Sequence, residues 1–163
     1  MSNIEITRHI PASPARVWAA FADFGGIHKF HPFVETSPML SQNASGLGAE
    51  RRCEFYDGNS VCERVVGVEE GTSMTIDIYE GSMPLERAEA RIHLEPADGG
   101  TRVRFVMDYT VKWGPIGALM DVMMMRRKMR GMLGKVLAGL ETHLETGAAI
   151  GQGGLPEMTV AMA

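Results

Sequence analysis

The chain has 163 residues, 45% of them hydrophobic and 22% charged, with a formal net charge of -4, values ordinary for one globular domain. The acidic balance, with no Lys/Arg run longer than Arg126-Arg127-Lys128, argues against nucleic acid as a partner. No stretch approaches the ~18 consecutive apolar residues of a membrane span and the first residues lack a signal-peptide core, so no span and a cytoplasmic address are expected.

Residues 3–10 alternate through Ile4, Ile6, Arg8 and Ile10 and predict a strand that Pro11 stops. Ser13 then offers an N-cap and Pro14 a first helical residue, for a short helix to about Asp23 that packs Val17, Trp18 and Phe21. Gly25-Gly26 punctuates, and residues 27–30 predict a second short helical turn before Pro32. Residues 33–41 read as a strand, with Pro38 marking an edge or bulge. Residues 49–56 and 60–69 form a hairpin around Asp57-Gly58. A two-residue turn there sets Cys53 opposite Cys62 and Arg52 opposite Glu63, whereas a turn at Gly58-Asn59 breaks the cysteine pairing. The two cysteines fit neither a zinc site nor a CxxC motif, and two free thiols are expected in a reducing compartment.

Strands at 73–80, 86–95 and 101–112 complete an antiparallel meander joined by short connections. On the last two, Ala88, Ala90, Ile92 and Leu94 share one face, as do Val103, Phe105, Met107 and Tyr109. Residues 115–146 then predict one long amphipathic helix, ~48 Å at ~1.5 Å per residue. Its stripe runs Leu119, Val122, Arg126, Met129, Leu133, Val136 or Leu137, Leu140 and Leu144, with Arg126 alone out of character. A guanidinium on that side needs a carboxylate partner or an anionic ligand, unless it snorkels to water at a rim. Small residues on the sixth strand leave a cavity between sheet and helix. Met120, Met123 and Met124 project away from the stripe, so the start of the helix is apolar nearly all round. This predicts a surface for a membrane or a second copy, hence a possible homodimer, unless the short helices cover it. The 13 methionines suit an adaptable cavity or a sticky surface. Residues 147–163, rich in Gly and Ala, read as a flexible tail after a domain at 1–146.

In order and spacing the chain resembles the helix-grip fold of the START-like (SRPBCC, Bet v 1-like) superfamily, and within it the bacterial polyketide cyclase/dehydrase family. The resemblance is carried by Ile4-Glu5-Ile6, the segment from Pro11 to Trp18, Gly46-Leu47-Gly48, Asp57-Gly58, Glu63-Arg64-Val65, Pro84 and Gly100-Thr101. It covers about residues 3–146. It implies an α+β fold in which a curved sheet of about seven strands wraps a long C-terminal helix, with a ligand-holding cavity between them. The family spans carriers, sensors and cyclases, so the resemblance names no reaction.

Within that frame, Glu63 sits between Val61 and Val65. Pointing inward it pairs with Arg52 or receives Arg126; pointing outward it makes a surface pair. His28 and His31 stand three apart near the expected cavity mouth, but no third ligand is recognisable, so neither metal nor cofactor is expected. Tyr79 is expected at the cavity rim, Tyr109 on the inner face of the last strand, and Trp113 as a wall at one end. The leading expectation is binding of a small, mainly hydrophobic, lipid or polyketide-like ligand. Ile92, Phe105, Met107, Met129, Leu133 and Leu137 would give apolar contact, while Arg126, Glu63, Arg52, Tyr109, Tyr79 and His31 orient the polar end. The rivals are a polyketide cyclase/dehydratase using His31, Tyr109 or Glu63 for acid–base work, and an interaction module using the Met-rich helix.

Overall fold

The computed structural model describes residues 2–154. β1 (Ser2–Ile10) ends at Pro11, and α1 (Pro14–Ala22) opens where Arg16 N–H donates to the Ser13 hydroxyl at 3.3 Å. A 3-10 turn, Phe24–Lys29, follows. The remaining strands are β2 (Val34–Thr36), β3 (Glu50–Phe55), β4 (Ser60–Glu69), β5 (Ser73–Tyr79), β6 (Leu85–Ala97) and β7 (Gly100–Val111). They form one seven-stranded antiparallel sheet in the order β1-β7-β6-β5-β4-β3-β2. After the sheet come α2 (Gly114–Met120), a π turn (Asp121–Met125), α3 (Arg126–Thr146) and a 3-10 turn, Gln152–Gly154.

The two inner-face quartets read from β6 and β7 are all buried, and α3 lays Met129, Leu133, Val136, Leu137 and Leu140 over them. Each such side chain removed from water stabilises the fold by ~1.5–3 kcal/mol before ordering costs. The sheet gripping its terminal helix is the helix-grip fold. Gly139 lets α3 close on the 3-10 turn, since a Cβ there would stand 2.3 Å from the Phe30 carbonyl oxygen.

Three local readings are corrected. The strand expected over 33–41 is short, because after Thr36 only an isolated Met39–Arg51 bridge continues it. The β3–β4 hairpin turns through three residues, Tyr56, Asp57 and Gly58, closed by Phe55 N–H to the Asn59 carbonyl at 2.8 Å. Gly58, at φ 90°, takes the left-handed position that such a loop requires. The register therefore pairs Arg51 with Glu63, Arg52 with Cys62 and Cys53 with Val61. Cys53 and Cys62 consequently lie on opposite faces of the sheet as free thiols.

The third correction concerns the helix. The π turn holds one residue more than an α turn and so rotates the preceding helix by roughly 100° against α3. Asp121 turns inward, 2% exposed, and Leu119 and Val122 turn out, 62% and 70% exposed. Arg126 also lies on the exposed side. Of the segment expected as a flexible tail, Ile150 is buried and its N–H donates to the Lys29 carbonyl at 2.8 Å. The rest of that expectation, 155–163, lies outside the described residues.

Candidate functional site

Between the sheet and α3 lies a cavity of about 70 Å³. Ile92, Phe105, Met107, Met129 and Leu133, named from the sequence as apolar contacts, line it together with Phe21, Ile27 and Ile76. At ~10–15 Å³ per water this is room for about five waters, below the ~300 Å³ at which drug-sized ligand pockets begin. Beyond it, between α3, the β3–β4 turn and the loop before β6, an open groove holds about 780 Å³. Phe55, Met83, Leu85, Met129 and Met132 line both spaces and so form the partition between them. Three of those five are methionines, unbranched side chains that repack at small cost. Arg127, Lys128 and Lys135 stand on the groove's helical lip and Asp57 on the other side.

The cavity carries one polar cluster. Arg51, 4% exposed, donates from Nε to Glu63 Oε2 at 2.6 Å and from Nη1 to the Phe24 carbonyl at 2.8 Å. Its guanidinium also lies 3.8 Å from the centre of the Phe24 ring. The Cys53 thiol sits 3.6 Å from Glu63 Oε2, and burial, then the Glu63 charge, push that thiol well up. His31 completes the cluster edge-on to Phe33 and Phe55, with ring centroids 6.0 and 6.1 Å away. Phe33 N–H donates to Nδ1 at 3.2 Å, which assigns the ring proton to Nε2. Among the described residues Nε2 makes no hydrogen bond. Burial, then the Arg51 charge, lower the His31 pKa to about 3, so the ring is neutral at pH 7. It offers a donor there, and is poorly matched to shuttling protons near neutrality.

Glu63 thus points inward, but its partner is Arg51 rather than Arg52 or Arg126. Arg52 faces outward and meets Glu54 at 3.3 Å, half-exposed. Arg126 reaches only the Asn3 carbonyl, at 3.4 Å, from the surface. Tyr79 is on the outer face rather than at the cavity rim. Its hydroxyl donates to Glu50, the Arg64 guanidinium lies 4.8 Å from its ring centre, and burial with the Glu50 bond pushes the phenol up to about 12. Tyr109 is on the inner face, yet its hydroxyl turns away from the cavity and donates to Asp121, which also accepts from Ser2. Burial, then Asp121, raise this phenol to about 12 as well. Leu137 is buried beside the cavity without lining it, and Trp113, expected as a wall, is 62% exposed. His28 does not converge with His31, since its Nδ1 meets the Ser37 hydroxyl at 2.7 Å. Sequence reasoning missed Arg51, Asp121, Phe55, Met83 and Met132. For Arg51 the available signal was Gly58 as the left-handed end of a three-residue turn.

A family model described as polyketide cyclase / dehydrase and lipid transport matches residues 1–145. Among solved structures, TTHA0849 from Thermus thermophilus superposes with a TM-score of 0.73 and 21% identity, covering 91% of this chain and 100% of that one. XoxI from Bacillus cereus gives 0.72 at 17% identity over 90% and 97% of the two chains. Ara h 8.0201 gives 0.66 at 20% identity over 89% and 98%. At such identities the likeness is one of fold. No curated protein matches the sequence.

Proposed function

This chain belongs to the polyketide cyclase/dehydrase and lipid transport family, and from that premise we propose that it binds a small, mainly hydrophobic ligand, lipid or polyketide-like, between its sheet and α3. The observation that carries the reading is an apolar cavity with one polar cluster at its wall, separated only by Met83, Met132 and their neighbours from a groove of about 780 Å³. The ligand enters by displacing those methionines and enlarging the inner space. Glu63 already balances Arg51, so the inner site favours a neutral acceptor such as a ketone, met by His31 Nε2–H. Anionic groups stay at the groove, beside Lys128 and Lys135. Burying ~200 Å² of apolar ligand surface contributes ~5 kcal/mol before ordering costs. A cyclase or dehydratase reading has less support, because Tyr109 is committed to Asp121 and His31 is held neutral.

The test is displacement of 1-anilinonaphthalene-8-sulfonate by 2-undecanone and by undecane, in the parent, in Met132→Trp and in His31→Phe. Binding of both probes is expected in the parent. Met132→Trp should lose both at least tenfold, while His31→Phe loses the ketone ~5- to 10-fold, the worth of one hydrogen bond, and spares the alkane. Parent-like affinities in Met132→Trp, at an unchanged unfolding midpoint, refute the site.

A further inference from the structure

The Arg51 cluster leaves the opening of the long helix unexplained. There Trp113, Ile116, Leu119, Val122, Met123 and Met124 are each 62–71% exposed, which makes a contiguous apolar face rather than scattered residues. Two backbone features hold it outward. Trp113 sits at φ 74°, a left-handed conformation uncommon for a bulky residue, and the π turn swings Leu119 and Val122 away from the sheet. The π turn is pinned by Asp121, which is buried and accepts from both Tyr109 and Ser2.

Charge decides what this face fits. Between Lys112 and Arg130 the exposed charges are Lys112, Arg126, Arg127, Lys128 and Arg130, all cationic, while Asp121 is 2% exposed. A chain of net charge -4 thus sets five exposed cations in the same segment as this apolar face. A second copy docked about a two-fold axis would bring these cations together with no exposed carboxylate of the segment to meet them. An anionic lipid surface meets both features at once, the cations reaching headgroups while Met123, Met124 and Trp113 enter the acyl boundary.

We propose that residues 112–130 are a docking surface for anionic phospholipid membranes, with α2 and the π turn lying in the interface. The groove lip carrying Arg127 and Lys128 then faces the bilayer. The proposal holds whether or not the cavity takes a ligand, because the probe is the vesicle itself.

The experiment is co-sedimentation with phosphatidylcholine vesicles, with and without phosphatidylglycerol, at low and high salt. It compares the parent with Met123→Ser/Met124→Ser and with Arg126→Gln/Arg130→Gln, side chains that line neither cavity nor groove. Binding to phosphatidylglycerol vesicles that weakens with salt is expected. The arginine pair should weaken it about 25-fold, from ~1 kcal/mol for each cation near the surface, and the methionine pair at least about tenfold. Absence of vesicle binding, or equal salt-independent binding to both vesicle types, overturns the proposal. So does a dimer in sedimentation equilibrium that Met123→Ser/Met124→Ser dissolves, which would assign the face to a second copy.

Discussion

Replacing Glu63 by Gln isolates what the inner ion pair contributes. The substitution keeps the shape and one oxygen acceptor but removes the negative charge that balances the Arg51 guanidinium, 4% exposed and otherwise met by the neutral Phe24 carbonyl and ring. Breaking one side of a buried pair costs ~3–5 kcal/mol, because the surviving charge remains out of water. At ~2–4 °C per kcal/mol for a chain of this size, the melting midpoint should fall by about 10 °C. Replacing both partners, Arg51→Met with Glu63→Leu, removes the charge and the penalty together and should return within ~1 kcal/mol of the parent. Urea unfolding read by Trp18, which is buried, measures all the variants, with Arg51→Met alone closing the cycle. A Glu63→Gln protein within ~1 kcal/mol of the parent, or a double variant as unstable as the sum of the singles, refutes this reasoning.

His31 predicts an acid sensitivity with a defined window. Its folded pKa, about 3, lies below the ordinary value of 6.5, so the unfolded chain takes up a proton that the native ring refuses. The resulting stability is whole above pH 6.5 and drains as pH falls from there toward 3. At ~1.4 kcal/mol per pH unit the loss by pH 5 is about 2 kcal/mol, which His31→Phe abolishes; parallel stability–pH curves for the two proteins between pH 7 and 5 would contradict this. At the π turn, Tyr109→Phe strips a donor from buried Asp121 and should cost ~1.5–3 kcal/mol in urea unfolding, with faster amide exchange over the π turn. Exchange unchanged at 121–125 would show that the hydroxyl does not hold the turn.

Element order, the antiparallel meander and the apolar faces of β6, β7 and α3 were legible because each rests on a pattern repeated many times. β6 and β7 alternate over twelve or more residues, so no single irregular position moves their inner faces. The same redundancy covers α3 from Met129 to Leu140. The polar wall had no such redundancy. His31 and Glu63 were readable as candidates by residue type, but nothing local in the chain says that Phe33 N–H orients the His31 ring. Met83 and Met132 were invisible for a different reason. One comes from a loop and the other from the flank of the apolar stripe, and only tertiary packing places both in one partition.

The misplaced Arg52 and the missed Asp121 share one cause. A period of 2 along a strand or of 3.6 along a helix keeps phase only while no residue is inserted. One extra turn residue at Gly58 moves the pairing so that Arg51 takes the inward place assigned to Arg52. One extra residue in the π turn brings Asp121 inward in place of Val122, while Arg126, at the start of α3, stays among the surface cations. In both places the insertion puts a carboxylate where a donor waits, Glu63 against Arg51 and Asp121 against Tyr109 and Ser2. Losing either contact within the observed register would leave a buried charge unpartnered at a cost of several kcal/mol, more than the ~1 kcal/mol that an irregular turn sacrifices. The buried acid–donor pairs therefore hold the irregular turns in place. Removing the β3–β4 pair as a unit should then do what neither single variant does: leave the fold intact while the hairpin register loses its anchor, readable as exchange broadening of β3 and β4 amides.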